Sequence, residues 1–174
     1  DAVQLLLDHS DKIELNAKAN RGRTAFMFAC HEGDKIILQL LLDNSDKIEL
    51  NAKDDNGCTA FMHACQSGHK YGVQLLLDHS NKIELNAKDE NGCTAFMRAC
   101  QKGDTGVVRL LLDHSDKIEL NAKDDNGCTA FMHACQNGDT YLVKLLLNHS
   151  DKIELNAKNI DALHQCLLSS QGDF

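Results

Sequence analysis

One stretch recurs along almost the whole chain and decides what it can fold into. Asn51 to Leu85, NAKDDNGCTAFMHACQSGHKYGVQLLLDHSNKIEL, returns with few substitutions as Asn16 to Leu50, Asn86 to Leu120 and Asn121 to Leu155. The block DKIELNAK recurs at Asp11, Asp46, Asp116 and Asp151, and Asn81 opens the remaining copy. A period in the range of about 20 to 50 residues means a stacked array, because a single unit cannot bury its own apolar face. Only the neighbouring copy can cover it. Four full copies exceed the minimum of about three that such a stack needs.

One unit can be read residue by residue. Asp55, Asn56 and Gly57 signal a tight hairpin turn, since Asn and Gly tolerate positive φ. Thr59 stands where a helix N-cap belongs. Phe61, Met62, Ala64 and Cys65 then form one apolar helical face, and Gly68 breaks that helix. His69 starts a second helix, with Asp34, Asp104 and Asp139 in the matching positions; Asp there accepts bonds from free N–H groups. Val73, Leu76 and Leu77 are the buried stripe. Ile83 and Leu85 alternate with Lys82 and Glu84, which predicts a short extended return.

This order of turn, short helix, Gly break, longer helix and return resembles the ankyrin repeat. The family pattern D-x-x-G-x-T-P-L-H-x-A, then Gly, V-x-x-L-L and N-A, is met by Asp54, Gly57, Thr59, Ala60, Phe61, Met62, Ala64, Gly68, Val73, Leu76, Leu77, Asn86 and Ala87. The family Pro is Ala60 and the family His is Met62. Each copy is two residues longer than the family's usual unit of about 33, with His-Ser-Asp-Lys-Ile-Glu or a close variant after the second helix. The resemblance implies an all-α solenoid of helix-turn-helix units with short β-hairpin fingers, a single array over 1–174. Its full units are 16–50, 51–85, 86–120 and 121–155, with 1–15 a partial unit and 156–174 a truncated one.

The formal net charge of −8 argues against a nucleic acid partner, which needs a basic stripe. No apolar run reaches the roughly 18 residues that a membrane span requires. The eight cysteines are repeat copies: Cys30, Cys65, Cys100 and Cys135 share one column, and Cys58, Cys93 and Cys128 another. Equivalent positions on stacked helices lie about 8–10 Å apart, whereas a disulfide needs Cα atoms within about 7 Å. A reduced, intracellular and cytoplasmic setting follows. The first cysteine column reads as buried packing and the second as more exposed.

At the ends, Asp1 to Leu15 matches the second half of a unit. Asp161 to Cys166 reads as a shortened helix one. Val3, Leu6 and Leu7 at one end, and Leu163, Leu167 and Leu168 at the other, lack the polar outer face a terminal unit needs. Either the chain is cut from a longer array, the preferred reading, or its ends stack on neighbouring molecules. Near-identity of the second to fourth copies fits recent duplication or deliberate design.

No converging acid, base and nucleophile is legible, so no enzyme, cofactor or metal is expected. His63 and Cys65 do not share a helical face, and equivalent histidines one unit apart are too distant to share an ion. His9, His79, His114 and His149 are placed to bond a free carbonyl at the end of helix two. Asn16, Asn51, Asn86, Asn121 and Asn156 read as asparagines bonding backbone; the family resemblance adds hydroxylation as an alternative.

The informative positions vary while the frame stays constant. One column is Phe28, His63, Arg98 and His133. A second is Glu32, Ser67, Lys102 and Asn137, beside His31, Gln66, Gln101 and Gln136. A third is the turn tips: Asn20 and Arg21, Asp55 and Asn56, Glu90 and Asn91, Asp125 and Asn126. The resemblance implies that these columns line a concave groove that binds another protein. Acidic tips, with Asp54, Asp89 and Asp124 included, suit a basic or polar partner surface, and Arg21 and Arg23 reverse the sign at one end. The alternative is a structural spacer without a dedicated partner.

Overall fold

The computed structural model describes residues 14–155, and within them every regular element is helical. Four helix pairs follow one another: α1 (Ala25–Glu32) and α2 (Lys35–Asp43), α3 (Ala60–Ser67) and α4 (Lys70–Asp78), α5 (Ala95–Lys102) and α6 (Thr105–Asp113), α7 (Ala130–Gln136) and α8 (Thr140–Leu147). First helices stack on first helices and second on second, so the pairs form a solenoid. The expectations placed on Val3, Leu6, Leu7, His9, Asn156, Asp161 to Cys166, Leu167 and Leu168 lie outside the described residues.

Local chemistry accounts for the helix bounds. Thr24, Thr59, Thr94 and Thr129 each accept a bond from the backbone N–H three residues on, satisfying one of the donors orphaned at a helix start. Gly68 ends α3 at φ 81°, a left-handed conformation that other residues enter only with strain. Asp34, Asp104 and Asp139 cap the second helices, while His69 makes no side-chain cap bond. At the other end of those helices, His79, His114 and His149 donate from Nδ1 to the carbonyls of Leu75, Leu110 and Leu145 at 2.8–2.9 Å. In the first pair Asn44 does the same to Leu40.

The core is one continuous apolar column. Phe26, Phe61, Phe96 and Phe131 are its fully buried rings, with Met27, Met62 and Met97 beside them. Each buried ring contributes roughly 2–3 kcal/mol over an exposed one. Because first helices stack on first helices and the rings lie in one continuous cluster, that energy belongs to the stack.

The loop after each second helix is turned, not extended as predicted. Lys82 N–H bonds the His79 carbonyl at 2.9 Å, and Ala52 N–H the Glu49 carbonyl at 3.2 Å in the preceding loop. The predicted alternation survives only as burial, with Ile83 and Leu85 inside and Lys82 and Glu84 outside. The reason is that polar side chains bind one loop to the next, which holds the backbone in turns. Asn51 Nδ2 donates to the Lys82 carbonyl at 2.9 Å while its Oδ1 accepts from Glu84 N–H at 2.8 Å. Asn16, Asn86 and Asn121 repeat this bridge. Lys82, Lys117 and Lys152 reach back to Ser45, Ser80 and Ser115 at 2.8–3.0 Å. Lys18, Lys53 and Lys88 reach forward to the carbonyls of Lys53, Lys88 and Lys123. The loop after each second helix, with the Asn-Ala-Lys that follows it, therefore carries polar rungs that tie each copy to the next.

Candidate functional site

The turn between copies, here called the finger, is organised by a buried carboxylate. Asp54 Oδ1 accepts from the N–H groups of Asn56 and Cys58, both at 2.9 Å. Asp89 and Asp124 do the same for their fingers. Gly57 takes φ 74°, and a side chain there would meet Glu90 N at 2.8 Å. Glycine is thus required both for its conformation and for the approach of the next finger. Asn56 does not take positive φ. Consecutive fingers are joined backbone to backbone, Asp55 N–H to Arg21 O and Glu90 N–H to Asn56 O at 3.0 Å, then Asp125 N–H to Asn91 O at 3.1 Å. Ala19 replaces the carboxylate in the first finger, and there Arg21 takes φ 64°.

The second carboxylate oxygen ties the finger to helix one. Asp54 Oδ2 lies 3.0 Å from His63 Nε2, Asp89 Oδ2 accepts from Arg98 Nε at 2.8 Å and from its Nη2, and Asp124 Oδ2 lies 2.9 Å from His133 Nε2. This revises three sequence expectations. Asp54, Asp89 and Asp124 are buried rather than acidic tips open to a partner. His63 is 3% exposed, not a free recognition side chain. The variable column is also paired with the finger where the finger carries Asp: Asp54 with His63, Asp89 with Arg98 and Asp124 with His133. Phe28 is 40% exposed, with the Arg23 guanidinium 5.9 Å above its ring.

Cys58 and Cys93 correct another expectation, being 7% and 4% exposed, while Cys128 is half-buried. Cys58 and Cys93 lie under the next finger, Cys58 Sγ 4.0 Å from Asp89 Oδ2 and Cys93 beside Asp124. Burial, then the Asp54 and Asp89 charges, push the Cys58 thiol up to about 11. Burial alone pushes Cys30 and Cys100 up, and is the largest cause for Cys65. The described cysteines are free thiols. Burial is also the main reason that His63 titrates below its ordinary value, against the opposing pull of its bond to Asp54.

The remaining sequence candidates divide between open and engaged. Asn20, Arg21, Asp55, Asn56, Glu90, Asn91, Asp125 and Asn126 are exposed at the finger tips, and Glu32, Gln66, Lys102, Gln136 and Asn137 on helix one. Arg23, His31, Ser67, Arg98, Gln101 and His133 are half-buried. Ser67 Oγ and His31 Nδ1 lie 2.9 Å apart, and Arg98 Nη1 donates to Gln101 Oε1 at 3.1 Å. On the other face Ile36, Tyr71 and Tyr141 of the second helices are exposed.

One grouping was missed. Cys93, Asp124 and His133 bring three potential ligand atoms within 4.8 Å of one another. The sequence argument compared residues on one helix or in one column, whereas these come from three columns and two copies. The signal that could have found them is the spacing of 31 and 40 residues from Cys93 to Asp124 and His133, legible only once copies are known to stack finger on finger.

No described helix is long and apolar enough to cross a membrane. A surface groove of about 660 Å³ lies between successive loops after the second helices, around Ile118, Leu120 and Lys152. Two of its polar groups, Asn121 and Lys152, are already used as rungs. A family model described as ankyrin repeats (3 copies) matches residues 1–89, 35–124, 79–159 and 116–173. No curated protein matches the chain.

Proposed function

Since the chain belongs to the ankyrin repeat family, whose members are in general protein-interaction modules and typically not enzymes, we propose that it holds a partner protein against the side built from finger tips and the outer surface of the first helices. The array is proposed as a single domain with full units 16–50, 51–85, 86–120 and 121–155 and partial units at 1–15 and 156–174. The observation that carries the binding reading is where variation falls. Core positions repeat the same residues, Phe26, Phe61, Phe96 and Phe131 among them, while residues differ from copy to copy along the exposed tips and helix-one surface. With Asp54, Asp89 and Asp124 withdrawn, the open charges at the finger tips are Asp55, Glu90 and Asp125 along the array and Arg21 at its first finger, with Glu32 and Lys102 open on helix one. A partner segment with basic or polar residues opposite the acidic tips, and an apolar or acidic end over Phe28 and Arg21, fits that order. Charge of this kind sets orientation and association rate more than affinity, and a rigid surface loses little loop entropy on binding.

The test is a matched pair of arrays, wild type and a variant carrying Arg21→Glu, Phe28→Ala, Asp55→Lys, Glu90→Lys and Asp125→Lys. Partners identified with the wild type should bind at least ten-fold more weakly to the variant while its unfolding midpoint is retained. Equal affinity would overturn the assignment of this face. A second reading, a spacer, is favoured by the polar rungs that link the copies. It demands length and stability that scale with copy number and no partner recovered with the wild-type array.

A further inference from the structure

The three junctions between described copies are built on one plan, a buried Asp in the later finger with one residue from the preceding finger and one from helix one beside it. In the first these are Arg23, Asp54 and His63, with Arg23 Nε 3.8 Å from Asp54 Oδ2. In the second they are Cys58, Asp89 and Arg98, with the guanidinium on the carboxylate. In the third they are Cys93, Asp124 and His133. The first two junctions thus place an arginine at the carboxylate, each from a different column. The third has none: the ion pair that Asp124 makes among the described residues is with His133. Its side chain is nevertheless 3% exposed, and a buried carboxylate is costly unless a positive charge compensates it.

We infer that Cys93, Asp124 and His133 form a binding site for a borderline-soft divalent cation of the zinc class, which takes the place the guanidinium occupies at the other two junctions. The donor set is one sulfur, one imidazole nitrogen and one carboxylate oxygen, a combination that suits zinc and its spectroscopic substitute cobalt(II) better than magnesium or calcium. The three donors lie within 4.8 Å of one another, and bond lengths of about 2.0–2.3 Å require edges of roughly 3.3–3.8 Å. His133 Nε2 and Asp124 Oδ2, now 2.9 Å apart, move slightly apart as the ion replaces their shared proton, and Cys93 moves in. Cys93 gives up its thiol proton to solvent on binding, and thiolate, carboxylate and neutral imidazole then carry two negative charges, which a dication balances. The Gln101 amide nitrogen lies 3.9 Å from Cys93 Sγ, placed to donate to the thiolate. The neighbouring Arg98 charge is already matched by Asp89. Three protein ligands leave a fourth position for water, and His133, 12% exposed at its side chain, opens it toward solvent. This inference stands apart from the partner reading, since it concerns the third junction alone.

The experiment titrates cobalt(II) into the reduced, metal-free full chain and follows the thiolate-to-cobalt charge-transfer absorption. One equivalent should produce the band, and zinc(II) should displace it. Cys93→Ser should abolish it, and His133→Ala should weaken binding at least ten-fold. Cys58→Ser and Cys128→Ser should leave it unchanged. Circular dichroism separates loss of the site from loss of the fold in each variant. Absence of the band in the folded wild type, its persistence in Cys93→Ser, or its loss in folded Cys58→Ser would overturn the assignment.

Discussion

Removing the Arg98 side chain isolates the carboxylate on which the second junction is built. Asp89 has a side chain with no exposed surface. In Arg98→Ala its Oδ1 keeps the two backbone bonds from Asn91 and Cys93, but Oδ2 loses both guanidinium donors. Breaking a buried ion pair on one side costs about 3–5 kcal/mol. Arg98 is 19% exposed at its side chain, so water partly replaces it, and the expected loss is about 2–4 kcal/mol. With a urea slope of about 2 kcal/mol/M, that moves the unfolding midpoint down by roughly 1–2 M. Arg98→His should recover most of it, because His63 and His133 occupy the same place and meet their carboxylates at 3.0 and 2.9 Å. The assay is urea unfolding followed by far-ultraviolet circular dichroism, with Asp89→Asn completing a double-mutant cycle. If Arg98→Ala falls within about 0.5 kcal/mol of wild type, or Arg98→His is no better than Ala, the finger is not held to helix one through this pair.

Three further outcomes follow from the same geometry. Asn51→Ala removes the bridge to Lys82 and Glu84 and should cost about 1–2 kcal/mol in urea unfolding; a change below about 0.3 kcal/mol would show that the polar rungs are ornamental. His63 is held below its ordinary 6.5 by burial, with Asp54, Arg23 and His31 as the charged neighbours. As pH falls the unfolded chain takes up that proton first, so the stability is complete above 6.5 and is lost as pH drops from there through the lowered folded value. Wild-type midpoints should therefore drop more steeply than those of His63→Gln between about pH 7 and pH 5, and parallel curves would contradict the assignment. Among the described cysteines, Cys128 is the one not fully buried, so alkylation of the folded chain read by peptide mass spectrometry should mark it before Cys58, Cys93 and the helix-one column. Equal rates across the two columns would refute the burial argument.

Period, helix starts and breaks were legible in the residues because they are local matters. Thr59 caps α3 and Gly68 ends it through bonds within a few residues, and an Asp or His at the second helix reports its own end. The stacked core was legible as well, since Phe61 and Met62 recur in register and have nothing else to cover them. Side-chain pairing between finger and helix was not, because it depends on which columns the fold brings face to face. The sequence marked Phe28, His63, Arg98 and His133 as variable surface, yet three of the four answer a carboxylate nine residues earlier in the same copy. The loop rungs were legible only in part: Asn51 reads as an asparagine bonding backbone, but which loop it bonds, and that Lys82 reaches Ser45, show only once the following and preceding loops are set beside them.

By itself, then, the sequence determined that copies must stack, where each helix begins and stops, and that the cysteine columns stay unpaired. Only the tertiary structure decided which polar groups are withdrawn from solvent, and it did so by burying each finger's Asp under the preceding copy. Burial turns on distances between residues about one repeat apart. No local propensity encodes those distances, and a shift of an ångström or two separates a solvated acid from one that needs a cation beside it.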